Sequence, residues 1–154
     1  MDQKKFDLWF SEAENDFEIG TILFNAQKYN AAVFHFVQAA EKAVKSLLYY
    51  KGITAWGHSI VDLLNSCEKI QISVNKNIKN IAQKLEKHYS SSRYPDALPD
   101  LTPKEAYDDS IAEDIQQKSQ KILDFVTKER ENIDIKEKQK SDKNKTEDLN
   151  NDFE

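Results

Sequence analysis

With one cysteine, three glycines and three prolines in 154 residues, the chain lacks the usual means of crosslinking and tight turning. A single thiol forms no intrachain disulfide and builds no cysteine-based zinc site. Cys67 sits in DLLNSCEKI at apolar helical spacing, so it reads as a small packed residue. The scarcity of glycine and proline argues for long helices. No run of about 18 apolar residues is available to span a bilayer. The opening MDQKKFDLWF has no apolar segment of signal-peptide length, so a soluble, cytoplasmic protein is expected. GxxxxGKS/T and GxGxxG are both absent, which excludes the glycine loops that cradle phosphates. Without GxSxG, and with its cysteine in an apolar pattern, the chain offers no nucleophilic catalyst. The net charge of -5, from 27 acids and 22 bases, leaves no global basic field for a nucleic-acid backbone.

What is present is helical periodicity. Phe6, Trp9, Phe10, Ala13, Phe17, Gly20 and Phe24 recur every three or four residues, predicting a first helix over 5–27. Leu8, Ile19 and Ile22 begin a second apolar face, which predicts neighbours on two sides. A second helix over 31–50 is the most apolar, with Ala32, Val33, Phe36, Ala39, Ala40, Ala43, Val44, Leu47 and Leu48 on about half its circumference. Its other half carries His35, Gln38, Glu41, Lys42 and Lys45, with Phe34 embedded in that polar stripe. KGITAWGHS reads as a loop, after which Ser59 or His58 caps a third helix through Ile60, Leu63, Leu64 and Cys67. Ile78, Ile81, Ala82 and Leu85 define a fourth helix over 75–89.

HYSSSRYPDALPD then interrupts, because Pro95 and Pro99 forbid continued helix. TPKEAYDD is a strong helix start, with Thr102 as cap, Pro103 in the first position and Glu105 placed for a capping box. Tyr107, Ile111, Ile115, Ile122, Phe125 and Val126 carry that last helix to about 132. From 136 to 154 the only large apolar residues are Leu149 and Phe153, too few to offset the entropy of ordering, so a disordered charged tail is expected. The sum is all-α: an antiparallel up-and-down bundle of four to five helices over 1–135.

Candidate chemistry is sparse. His35, His58 and His88 are far apart and none sits in an HExxH pair, so no metal site is expected; His58 and Asp62 read as a cap or surface pair. The Arg-Tyr-Pro-Asp turn is richer. Arg93 offers a rigid fork of five donors suited to phosphate, and Tyr89 and Tyr94 offer rings for a base to stack on. The plainer alternative pairs Arg93 with Asp96 or Asp100 and leaves the tyrosines filling the end of the bundle.

The stretch WFSEAENDFEIGTILFNAQKYNAAVFHFVQAAEKAVKSLLYYKG, followed by His58-Ser59 and YSSSRYPD, resembles the HEPN domain family. Trp9, Ala13, Asp16, Phe34, Gln38, Ala39, Glu41, Lys42, Lys45, Leu47 and His58 stand where that family's pattern asks, over roughly residues 6–130. The resemblance implies a helical bundle that dimerises. It further implies either nucleotide binding or metal-independent RNA cleavage, often beside a separately encoded minimal nucleotidyltransferase. Cleaving members carry an arginine followed four to six residues later by a histidine. No histidine follows Arg93 or Arg130 at that spacing, and His88 precedes Arg93 in the reverse order. The general acid–base pair for cleavage is therefore missing.

The resulting expectation is a homodimeric binding module with no cofactor and no catalytic residue. Arg93 engages phosphate, Lys42 and Lys45 add charge, and Tyr89 or Tyr94 stacks. Gln38 and Glu41 hydrogen-bond a base or the partner subunit, Asp96 and His58 complete the site, and Phe34 marks an interface. Two alternatives stand beside it: a toxin-like ribonuclease with an atypical Arg/His site, and a module serving only dimerisation or docking. RNA is the less favoured ligand.

Overall fold

Asp2 opens the first helix by accepting the Lys5 backbone N–H on its carboxylate. In the computed structural model, which describes residues 1–151, this helix is α1 (Gln3–Asn25). It is followed by α2 (Tyr29–Tyr50), α3 (Ile60–Lys69), α4 (Lys76–Glu86), the single turn α5 (His88–Ser91), the single turn α6 (Pro103–Ala106) and α7 (Asp109–Asn151). A 3-10 turn over Pro95–Ala97 lies between α5 and α6. No strand occurs among the described residues, and none of their helices is long and apolar enough to cross a membrane. The architecture is the expected all-α bundle.

Two of the helices end without glycine. After α1, Gln27 takes φ +60° while Lys28 N–H bonds back to Leu23 and Gln27 N–H to Phe24. After α3, Gln71 at φ +67° repeats the pattern, with Ile72 N–H donating to Cys67. These are Schellman terminations, which satisfy the last orphaned carbonyls. Only the α2 terminus places glycine there, Gly52 at φ +78°.

α2 is the central element, packed against α1, α3 and α7. Its stripe of Ala32, Val33, Phe36, Ala39, Ala40, Ala43, Val44 and Leu47 is fully buried. The small alanines let neighbouring backbones come close, and Gly20 on α1 takes this furthest. A Cβ there would sit 2.7 Å from the Phe36 ring, so the glycine on the aromatic face of α1 is a contact surface for Phe36. Ser119 on α7 donates to the Phe36 carbonyl at 2.7 Å, and Gln116 donates to Thr21 at 3.2 Å, fixing α7 against both α2 and α1. Cys67 is fully buried, and burial pushes its thiol pKa up to about 12, in keeping with a packing role.

Three expectations are corrected. α1 does have neighbours on two sides, α2 and α7, but its second apolar face is covered only in part: Leu8 and Ile22 are both 59% exposed, while Ile19 is half-buried. Thr102 caps as expected, accepting Glu105 N–H, but the Glu105 carboxylate takes the Thr102 hydroxyl in place of the backbone N–H of a capping box, and the cap starts only α6. Tyr107 turns extended and buries its ring, and Asp108 then caps α7 afresh by accepting Ile111 N–H. Finally, the segment from Lys136, expected to be disordered, continues α7 as helix to Asn151. Composition correctly denies it a packing partner, and residues 138–149 are all exposed. Lysine and glutamate are nevertheless good helix formers, so local backbone bonding extends the turn already begun. Phe153 lies outside the described residues.

Candidate ligand-binding site

The polar stripe of α2 is not a solvated face. Phe34, Gln38, Glu41 and Lys45 follow one another at intervals of four, three and four, which places them along one line of the helix. Glu41 and Lys45 on that line are buried, at 3% and 8% exposure. Lys45 Nζ lies 3.6 Å from Glu41 and 5.7 Å above the Trp9 ring, which itself stacks on Tyr49. The loop after α2 brings His58 onto the same carboxylate, Nδ1 donating to Glu41 Oε1 at 2.9 Å. A buried carboxylate is tolerable only with such partners, and Glu41 has two.

Asp16 on α1 makes the same kind of arrangement with the neighbouring line of α2. Its buried carboxylate accepts from His35 Nδ1 at 2.9 Å and lies 2.6 Å from Lys42 Nζ. Lys42 and Lys45, expected to supply charge to a ligand, are therefore both neutralised inside the bundle. Periodicity sets Lys45 one turn from Glu41, but does not show that Asp16 on α1 will meet Lys42.

Arg93 is held differently. Its guanidinium carbon lies 4.4 Å from the Phe34 ring centroid, 4.6 Å from Tyr89 and 4.9 Å from Tyr94. Its Nε donates to the Tyr89 carbonyl at 3.2 Å, the i to i−4 contact that α5 makes available. Ser92 anchors the turn beneath it, with Oγ donating to the His88 carbonyl and its own carbonyl accepting from Asn30. Among the described residues no carboxylate pairs with Arg93, and Asp96 and Asp100 are exposed. The pairing of Arg93 with either aspartate does not form, and Asp96 stands apart from the cluster.

Tyr89 joins the two halves. Its ring stacks on His58 with centroids 5.0 Å apart and planes 24° apart, while also contacting Arg93. Beside it opens a depression of about 490 Å³ lined by His58, Ser59, Gln83, Glu86, Lys87 and Tyr89. That volume falls in the range of small-molecule sites. Ser59, not His58, caps α3, accepting Asp62 N–H, and donates in turn to Glu86 Oε2 at 2.9 Å. His58 therefore pairs with Glu41 rather than Asp62. Gln83, Glu86, Lys87 and the neighbouring Trp56 were not singled out from the sequence; α4's polar face looks like any solvated face until the loop packs across it.

His88 faces elsewhere. Its Nδ1 meets the Tyr107 hydroxyl at 2.7 Å, and Ser91 Oγ meets the same hydroxyl at 2.7 Å. Burial, then the charge of Lys87, lowers the His88 pKa, while burial raises that of Tyr107. The structure thus brings together Arg93, Tyr89, Tyr94, Phe34, His58 and Glu41, with Gln38 half-buried between Phe34 and Glu41. It leaves Asp96, Lys42 and His88 outside, while Lys45 reaches the cluster through its pairing with Glu41. No group of three His, Cys, Asp or Glu side chains is placed to hold a metal among the described residues.

The cluster can be compared with known proteins. A protein from Methanocaldococcus jannaschii, the candidate toxin MJ1304, is 29% identical over 127 residues, covering 77% of this chain and 84% of its own length. The crystal structure of TT1696 from Thermus thermophilus is 34% identical and superposes with a TM-score of 0.78, over 81% of this chain and 98% of that one. ST0689, an archaeal HEPN homologue, is also 34% identical, with a TM-score of 0.67 over 79% of this chain and 94% of its own. A HEPN domain protein from Thermotoga maritima, tm0613, is 29% identical with a TM-score of 0.63, over 78% and 94%. The HEPN domain family model matches residues 6–132, a span that runs from Phe6 in α1 through the whole Arg93 cluster to the packed portion of α7. The chain belongs to the HEPN domain family.

Proposed function

We propose that this chain binds a nucleotide or a related phosphorylated ligand, with Arg93 holding phosphate and the depression beside Tyr89 taking the rest of the molecule. One observation carries the reading: a guanidinium fixed among three aromatic rings with no carboxylate partner among the described residues. Such a group keeps unfilled donors and uncancelled charge, which is what a phosphate needs. Calorimetric titration of the wild type and Arg93→Ala with ATP tests it. Binding by the wild type that the variant loses is expected; equal binding by both, or none by either, defeats it. The module acts as a homodimer through the Phe34 face and beside a minimal nucleotidyltransferase in this reading. An unchanged mass in solution for Phe34→Glu would argue against that interface.

A second reading is metal-independent RNA cleavage, as in a toxin. It draws on the candidate toxin MJ1304 and on His58, whose Nδ1 is held by Glu41 so that Nε2 remains the working nitrogen. RNA cleaved in EDTA by the wild type, but not by His58→Ala, would replace the binding reading.

A further inference from the structure

Trp56 is 83% exposed, more than any other large hydrophobic side chain among the described residues. The short span that carries it is pinned at both ends. On one side Ala55 is buried, and its carbonyl lies 3.5 Å from the Tyr49 hydroxyl that donates to it. On the other, Ser59 caps α3 and donates to Glu86. Three residues span these two pins: Trp56, Gly57 and His58. Gly57 sits at φ +83° with open space around it, a backbone conformation in which a side chain would be strained. His58 and Ser59 are themselves walls of the depression beside Tyr89. An indole thus stands in solvent on the loop that, two and three residues further on, supplies His58 and Ser59 to the wall of that depression, where the His58 and Tyr89 rings stack.

We propose that Trp56 folds over this depression and stacks on an aromatic base, so that it selects ligands carrying a base over bare phosphates. The inference rests on the nucleotide-binding reading and names the residue that gives the site its base preference. Aromatic stacking is tolerant of base identity, and one such contact is enough for about a tenfold preference. Exposure of the ring fits a surface that a ligand completes, since indole rings otherwise bury most of their area.

The test compares ATP with inorganic tripolyphosphate, the same phosphate chain without a base. Both are titrated into wild type and Trp56→Ala, with intrinsic fluorescence and thermal melting alongside. The wild type binds ATP about tenfold more tightly than tripolyphosphate, and ATP alone shifts its tryptophan emission. Trp56→Ala melts at the wild-type temperature, holds tripolyphosphate as before, and binds ATP no better than tripolyphosphate. A variant that keeps the ATP preference overturns the role of Trp56 while leaving the nucleotide reading intact. Failure of the wild type to bind either compound overturns both. A change in the variant's mass in solution assigns Trp56 to an interface between copies instead, and overturns the proposal too.

Discussion

The chain's two arginines, Arg93 and Arg130, are both packed against aromatic rings, and only one is closed. Arg130 lies 4.9 Å from the Phe6 centroid and 5.6 Å from Tyr50. Its guanidinium also donates to Gln3, and its Nε sits 3.7 Å from Asp134, which in turn accepts from the Tyr50 hydroxyl. Those contacts join the N-terminus of α1, the C-terminus of α2 and the middle of α7. Arg93 has three rings around it against two for Arg130, but no carboxylate among the described residues. The same side chain in the same kind of box serves as a rivet where a carboxylate completes it, and, in the proposed function, as a receptor where the completing anion comes from outside.

The contrast predicts opposite phenotypes. Arg93→Ala is expected to weaken ATP binding about tenfold or more, from the loss of charge-assisted hydrogen bonds, beyond any stability lost with its three ring contacts. Arg130→Ala is expected to keep ATP affinity within about twofold and to lower stability by about 1–2 kcal/mol, from two lost ring contacts and a broken tie to α7. Calorimetry and denaturant unfolding on both variants check this. If both lose stability and neither changes affinity, Arg93 is a second rivet.

The open box can also be closed by design. Phe34→Glu places a carboxylate beside Arg93 in place of one of its rings. Competition from an internal anion should weaken ATP binding about fivefold, less than loss of the arginine itself. Raising the salt concentration should narrow the gap to wild type, because an exposed pair is screened. An affinity equal to wild type at low salt would mean that phosphate does not bind at Arg93.

The closed box can be opened by Asp134→Asn, which removes the carboxylate facing Arg130. A stability loss of about 0.5–1 kcal/mol is expected without any gain of ATP binding, since Gln3 and the bundle still occupy the guanidinium. Burial, reinforced by Asp134, raises the Tyr50 pKa above its ordinary value. The unfolded chain therefore loses this proton first as pH rises past about 10, and wild-type stability falls there. The fall should be shallower in Asp134→Asn, measured by unfolding between about pH 9 and 11.

Why Arg93 is open could not be read from the sequence, where both Asp96 and Asp100 stood ready to pair with it. The turn decides it: Pro95 starts a 3-10 turn that leaves Asp96 exposed, and Asp100 takes φ +60° with its side chain in solvent. The helices themselves were legible, because apolar spacing fixes which residues share a face. That spacing isolated the α2 stripe holding Phe34, Gln38, Glu41 and Lys45. It placed Lys45 one turn from Glu41, but could not show that Asp16 would meet Lys42 or His58 would meet Glu41, since those pairings depend on how α1 and the loop before α3 pack over the stripe. The family pattern contained Asp16, Glu41 and His58 without saying that they meet charges within the fold. Trp56 left no periodic trace, because one exposed ring in a loop has no spacing to read.

The smallest expected effect separates the binding turn from its own support. His88, five residues before Arg93, holds Tyr107 rather than the guanidinium, and burial together with Lys87 lowers its pKa below the ordinary value. The unfolded chain accordingly takes up this proton at a higher pH than the folded one. The stability contributed by neutral His88 is therefore present above about pH 6.5 and lost as pH falls below it. His88→Gln, which keeps a polar partner for Tyr107, should flatten that region of the stability profile between about pH 5 and 7 by a few tenths of a kcal/mol. ATP affinity measured at pH 7.5 should be unaltered, because His88 meets neither the rings around Arg93 nor the depression beside Tyr89. A variant that loses ATP binding while retaining its melting temperature would instead move His88 into the site and remove the distinction between the turn's two faces.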